Sequence, residues 1–119
     1  MNARFLIALA TSLLLVASCS SPPELTGKWD GQDWGVITFV GGQGTYSSTF
    51  GGSLGQILLE PAGNGEFKGT WSEGTKRFGT LQLAFKGKDA LVGKWTADPA
   101  SEIKGSAGGA ILWTRKPKP

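Results

Sequence analysis

The sequence predicts an all-β domain in which eight antiparallel strands run up and down in chain order and close into a small barrel. A glycine-x-aromatic phrase occurs four times, at Gly27-Lys28-Trp29, Gly44-Thr45-Tyr46, Gly69-Thr70-Trp71 and Gly93-Lys94-Trp95. The last three copies follow a partner phrase with apolar residues at every second position: Gly35-Val36-Ile37-Thr38-Phe39, Gly55-Gln56-Ile57-Leu58-Leu59, and Gly79-Thr80-Leu81-Gln82-Leu83-Ala84-Phe85. Strand, turn and strand make a β-hairpin, and the chain writes that hairpin three times. Beyond residue 25 no amphipathic helical stretch survives, because the apolar period is two and glycines interrupt every segment.

The first element is a leader. Met1-Asn2-Ala3-Arg4 supplies a positive start, and the apolar run from Phe5 to Ala17 is too short to span a bilayer. Ser20 to Glu24 reads Ser-Ser-Pro-Pro-Glu, a short polar tether. The expected strands are Leu25–Trp29, Trp34–Val40, Gly44–Thr49, Gly55–Glu60, Glu66–Ser72, Phe78–Phe85, Ala90–Thr96 and Ala110–Arg115. Between them stand Asp30-Gly31, Gly41-Gly42, Gly51-Gly52, Pro61-Ala62-Gly63-Asn64-Gly65, Glu73-Gly74 and Gly87-Lys88-Asp89, where glycine and asparagine supply the positive φ of tight turns. A meander of this kind loses its two exposed edges only by closing. The expected domains are residues 1–18 as signal, 19–24 as lipidated cysteine and tether, 25–115 as barrel, and 116–119 as basic tail.

Facing follows from antiparallel pairing, since opposed residues share a face. Phe39 opposite Gly44 puts Ile37 opposite Tyr46 and Gly35 opposite Ser48. Leu59 opposite Phe67 puts Ile57 opposite Gly69 and Gly55 opposite Trp71. Leu83 opposite Gly93 puts Leu81 opposite Trp95. The apolar and aromatic residues gather on one face. Thr38, Gln56, Leu58, Lys68, Thr70, Ser72, Thr80, Gln82, Val92, Lys94 and Thr96 form the other. A barrel of eight short strands has room only for side chains, so a glycine opposite an inward indole makes space for it.

The composition limits the chemistry. A chain of 119 residues that loses a leader keeps about 100, enough for one small core. There is no histidine, and the single cysteine lies in the leader, which removes the usual general base, thiolate nucleophile and His/Cys metal site. The net charge of +3 includes Arg4 in the leader and Arg115, Lys116 and Lys118 at the end, so the folded body is near neutral and carries no nucleic-acid footprint. Asp30 and Asp33 flank one turn, but oxygen sites need more ligands and Asp in a turn bonds its own backbone, so no metal is expected. Glu60, Glu66 and Glu73 read as solvated surface, as do Lys86, Lys88, Lys94 and Lys104. No cofactor and no enzymatic activity are expected.

Two resemblances add to this reading. Val16-Ala17-Ser18-Cys19 resembles the bacterial lipoprotein signal, in which the cysteine is lipidated before cleavage makes it the new N-terminus. Ser20 stands where an inner-membrane-retained lipoprotein often carries Asp. The resemblance therefore implies anchoring through Cys19 in the cell envelope, at the outer membrane facing the periplasm in a Gram-negative host. Leu25-Thr26-Gly27-Lys28-Trp29, Gly44-Thr45-Tyr46-Ser47-Ser48, Phe78-Gly79 and Leu112-Trp113-Thr114-Arg115 resemble the avidin family and, more broadly, the calycin barrels. That resemblance implies that Trp29 plugs one barrel end under Arg115, and that Tyr46 and Ser48 hold ligand-binding positions. Its biotin site is largely missing. Asp30-Gly31-Gln32-Asp33 replaces the expected Asn and Ser, and Leu83-Ala84 replaces a stacking tryptophan, so biotin binding of avidin strength is not expected.

Two functions from different classes fit. One is a lipid-anchored binding module for a small apolar ligand or an envelope partner, with Tyr46, Ser48, Trp71 and Trp95 lining the site. The other is an accessory envelope lipoprotein with a filled barrel. A cavity of the order of 300 Å³ lined by Tyr46, Trp71 and Trp95 favours the first, and a filled interior the second. The loop from Ala97 to Ser106 is the longest connection, where function often resides.

Overall fold

A computed structural model describes residues 24–47, 54–102 and 107–117. Cys19, Ser48 and the leader lie outside these residues. The strands are β1 (Gly27–Asp30), β2 (Val36–Val40), β3 (Gln43–Ser47), β4 (Leu54–Gly63), β5 (Glu66–Glu73), β6 (Arg77–Lys86), β7 (Ala90–Ala97) and β8 (Gly108–Arg115). They form a closed barrel in chain order. Every neighbouring pair is antiparallel, and β8 returns to β1 through Trp29 opposite Arg115 and Asp30 opposite Thr114. The up-and-down meander expected from the repeated phrase is therefore the fold, and closure satisfies the ladder groups that an open meander would leave at its edges.

Side-chain direction follows the period of two. On β4, Gly55, Ile57 and Leu59 are buried while Leu54, Gln56, Leu58 and Glu60 are exposed. The core gathers Leu25, Trp29, Ile37, Phe39, Tyr46, Ile57, Leu59, Trp71, Leu81, Leu83, Leu91, Ala97, Ile111 and Trp113, with Trp34, Phe67, Phe85 and Trp95 packed against it. Each large apolar side chain taken out of water stabilises the fold by roughly 1.5–3 kcal/mol, so a barrel this small depends on its rings.

Two hairpins keep the expected register, with Phe39 opposite Gly44 and Leu83 opposite Gly93. The β4–β5 hairpin does not. Leu59 stands opposite Gly69, Ile57 opposite Trp71 and Gly55 opposite Glu73. The stretch expected to be a turn from Pro61 to Gly65 continues β4 to Gly63, with an irregularity between Pro61 and Gly63, and the reversal happens at Asn64 and Gly65, both at positive φ. The register moves by two residues, one full side-chain period, so the inner and outer faces stay as expected. The neighbours that make room also change. Gly79 lies opposite Trp71, where an added Cβ would meet Trp71 Nε1 at 2.7 Å, and Gly55 lies under the Tyr46 ring.

Trp34 does not begin a strand. It ends a three-residue 3-10 turn, Gln32–Trp34, which joins β1 to β2. Gln32 N–H donates to Asp30 Oδ1 at 2.9 Å, the expected local use of an Asp side chain, and Gly31 N–H donates to Gly35 O at 2.8 Å. Gly35 leaves the turn at φ 77, a conformation that favours glycine.

Candidate functional site

The two ends of the barrel use aromatic residues differently. At the end holding the β1 entry and the β8 exit, Trp29 is fully buried and donates Nε1–H to Leu25 O at 2.8 Å. The Arg115 guanidinium lies 4.3 Å from the Trp29 ring centre. Its Nη1 donates to Thr26 O, its Nη2 to Glu24 O and Lys88 O, and its Nε to Asp89 Oδ1 at 3.1 Å. A planar cation over an indole face, with its N–H groups spent on main-chain carbonyls and one carboxylate, holds this end shut.

At the opposite end, the turn after β1 carries Trp34 in among four other rings. Its ring centre is 5.1 Å from that of Tyr46, 5.3 Å from Trp113, 6.0 Å from Trp71 and 6.4 Å from Trp95. Three of these contacts are edge-to-face, the arrangement that ring quadrupoles favour. Tyr46, Trp71 and Trp113 are buried, whereas Trp34 and Trp95 keep partial exposure. Tyr46, Trp71 and Trp95, the residues expected to line a ligand site, do converge, and the space between them holds the Trp34 ring.

At the same end, where β5 finishes, is a polar group expected from the sequence to lie in solvent. Glu73 is 7% exposed, not a surface carboxylate. Its Oε2 accepts from Tyr46 Oη at 2.7 Å and its Oε1 from Arg77 Nε at 3.0 Å. Burial, with the hydrogen bond and charge of Glu73 adding to it, pushes the Tyr46 phenol well above the usual tyrosine range, against a smaller opposing effect of Arg77. Tyr46 is thus held as a neutral donor. Glu73, Arg77, Trp34 and Trp113 are members of this end that the sequence did not assign to the site. The available signal for Glu73 was its parity with Gly69 and Trp71 on β5, which turns it inward.

Buried donors at the interior are otherwise matched. Trp71 Nε1 donates to Thr96 O at 3.2 Å. Among the described residues, Trp113 Nε1 is the buried side-chain polar atom with no hydrogen-bond partner. A groove of about 420 Å³ lies elsewhere, on the outer face of β5, β6 and β7. Ala84, Val92 and Gly93 are among its lining residues, together with Lys68, Gln82 and Lys94.

Among the described residues, no group of three His, Cys, Asp or Glu side chains could hold a metal ion. No helix among them is long and apolar enough to cross a membrane. Comparison of the chain with protein-family models, curated proteins and solved structures finds no match.

Proposed function

We propose that this protein is a lipid-anchored lipoprotein of the cell envelope whose barrel is a non-catalytic binding module for a small apolar ligand at the aromatic mouth. The observation that carries the reading is the convergence of Tyr46, Trp71, Trp95 and Trp113 on the ring of Trp34, which enters from a turn instead of a strand. Strand-borne rings are held by the ladder, whereas a turn-borne ring can leave without breaking the barrel. Anchoring rests on the Val16-Ala17-Ser18-Cys19 signal, with acyl chains on Cys19 as the membrane contact.

A second reading draws on the same cluster. By the measure of interior space, the Trp34 ring between the walls favours an accessory lipoprotein with a filled barrel, and the binding module requires that ring to move aside. Its partner would be an envelope protein met on the outer face, where the groove over β5–β7 lies.

The location is tested by fractionating cells that express the wild type and Cys19→Ala while following acyl labelling. A labelled, membrane-bound wild type and an unlabelled variant are expected; a soluble, unlabelled wild type would end the lipoprotein reading. The module is tested by thermal shift against small apolar ligands. Ligand-dependent stabilisation that Trp71→Ala abolishes supports it, and no shift across a broad set supports the filled barrel. Biotin in the same screen is expected not to bind in the submicromolar range.

A further inference from the structure

Among the described residues, one buried side-chain donor lacks an acceptor. Trp29 Nε1–H reaches Leu25 O, Trp71 Nε1–H reaches Thr96 O, and Tyr46 Oη–H reaches Glu73. Trp113 is fully buried, and no oxygen or nitrogen accepts from its Nε1. A buried donor without an acceptor is costly, so native interiors rarely keep one without a reason. This one belongs to the ring that packs at 5.3 Å and 71° against Trp34. Phe39 on β2 lies at 6.3 Å from the same indole, so of these two rings beside Trp113 the nearer, Trp34, is carried by a turn.

We infer that Trp34 is a resident occupant of the mouth, and that the molecule replacing it is a neutral, planar bicycle bearing a hydrogen-bond acceptor for Trp113 Nε1–H. This rests on the mouth being a binding site, as proposed above. Planarity and size follow from the walls, since Tyr46, Trp71, Trp95 and Trp113 surround one indole, three of them edge-to-face. Neutrality follows from Glu73 and Arg77. Their charges are paired with each other at 3.0 Å, so neither an anion nor a cation finds a free counter-charge there. The acceptor follows from Trp113. Trp34 is partly exposed and stands outside the strand ladder, so rotating its side chain outward leaves both the turn's backbone hydrogen bonds and the register of the strands unchanged.

A ligand must then compete with Trp34. Competition of this kind lowers apparent affinity by the fraction of molecules whose mouth is open, and removing the ring restores it. The test uses the full chain in detergent with 1-indanone and indane as probes. These bicycles are similar in size and differ by one carbonyl, and indane is the more apolar of the two. Apolar burial alone would therefore favour indane. Binding is followed through the Trp113 indole N–H resonance.

In Trp34→Gly, 1-indanone should bind about tenfold more tightly than indane, the effect of one hydrogen bond, and should shift the Trp113 N–H downfield. The wild type should show the same shift at about 100-fold higher concentration, set by displacement of Trp34. In Trp34→Gly with Trp113→Phe the preference for 1-indanone should vanish. Trp34→Phe, which keeps a smaller ring in place and preserves folding, should lie between the wild type and the glycine variant. Equal or reversed preference in Trp34→Gly would overturn the acceptor while leaving a binding module standing. Absence of binding to the wild type, Trp34→Phe and Trp34→Gly alike would overturn both.

Discussion

The two ends of this barrel are built from the same residue types and come out with different properties. At the Trp29 end the indole N–H is matched to a main-chain carbonyl, the ring face is covered by Arg115, and that guanidinium is held by the carbonyls of Glu24, Thr26 and Lys88. At the Trp34 end the central ring comes from a three-residue turn, stays partly exposed, and lies beside a buried indole with no acceptor. Rings alone do not make either a plug or a site. What decides it is whether each ring's polar atom and backbone are tied to the ladder.

The largest way to break this comparison is to empty each end. Trp29→Ala should destabilise by about 3–5 kcal/mol, the range for removing a fully buried aromatic. Trp34→Ala should cost clearly less, because the ring is partly exposed and its loss leaves the strand ladder intact. Equal shifts of the denaturation midpoint would mean that both rings are structural in the same sense.

A smaller effect tests the buried polar group at the mouth. Glu73→Ala leaves the Tyr46 hydroxyl without its acceptor and should destabilise by about 1–3 kcal/mol. Tyr46 is also the only tyrosine in the chain, so phenolate absorbance reports it alone. Its folded pKa is raised, so the un-ionised form is favoured in the native state. The corresponding stability is fully present below the unfolded value of about 10 and is lost as pH rises above it. Folded wild type should resist ionisation at pH values where an ordinary tyrosine titrates, and Tyr46→Phe should lose stability less steeply there. An ordinary titration curve would contradict the buried hydrogen bond.

The smallest effect belongs outside. Lys68→Ala removes an exposed side chain on the outer face and should change stability by roughly half a kcal/mol or less. A loss comparable to that of Trp29→Ala would reverse the assignment of faces.

Much of the fold was legible in the sequence because tight turns and period-two patterning act locally. Gly41-Gly42 and Gly87-Lys88-Asp89 fix their hairpins, and both registers agree with the structure. The β4–β5 register was missed because Pro61-Ala62-Gly63 looks like turn chemistry yet continues a strand through an irregularity. The faces survived since the error was one full period. The Arg115 guanidinium stands over the Trp29 ring, the contact that the resemblance implies. The mouth was less legible. Glu73 was read by its charge instead of its parity, and its partner Tyr46 stands 27 residues earlier, beyond any local pattern. Trp34 looked like the start of a strand because an aromatic residue precedes a glycine and an alternating run. Its inward course depends on a 3-10 turn with Gln32 at φ 59, which no periodicity announces.

The central claim, that one end is locked and the other can open, is tested most directly by hydrogen exchange at the indole N–H groups. Trp29 Nε1–H should exchange only through global unfolding, so its rate should rise steeply with denaturant. Trp34 Nε1–H should exchange through a local opening, faster by orders of magnitude and nearly independent of denaturant. A Trp34 proton as slow as that of Trp29, with the same denaturant dependence, would contradict the account.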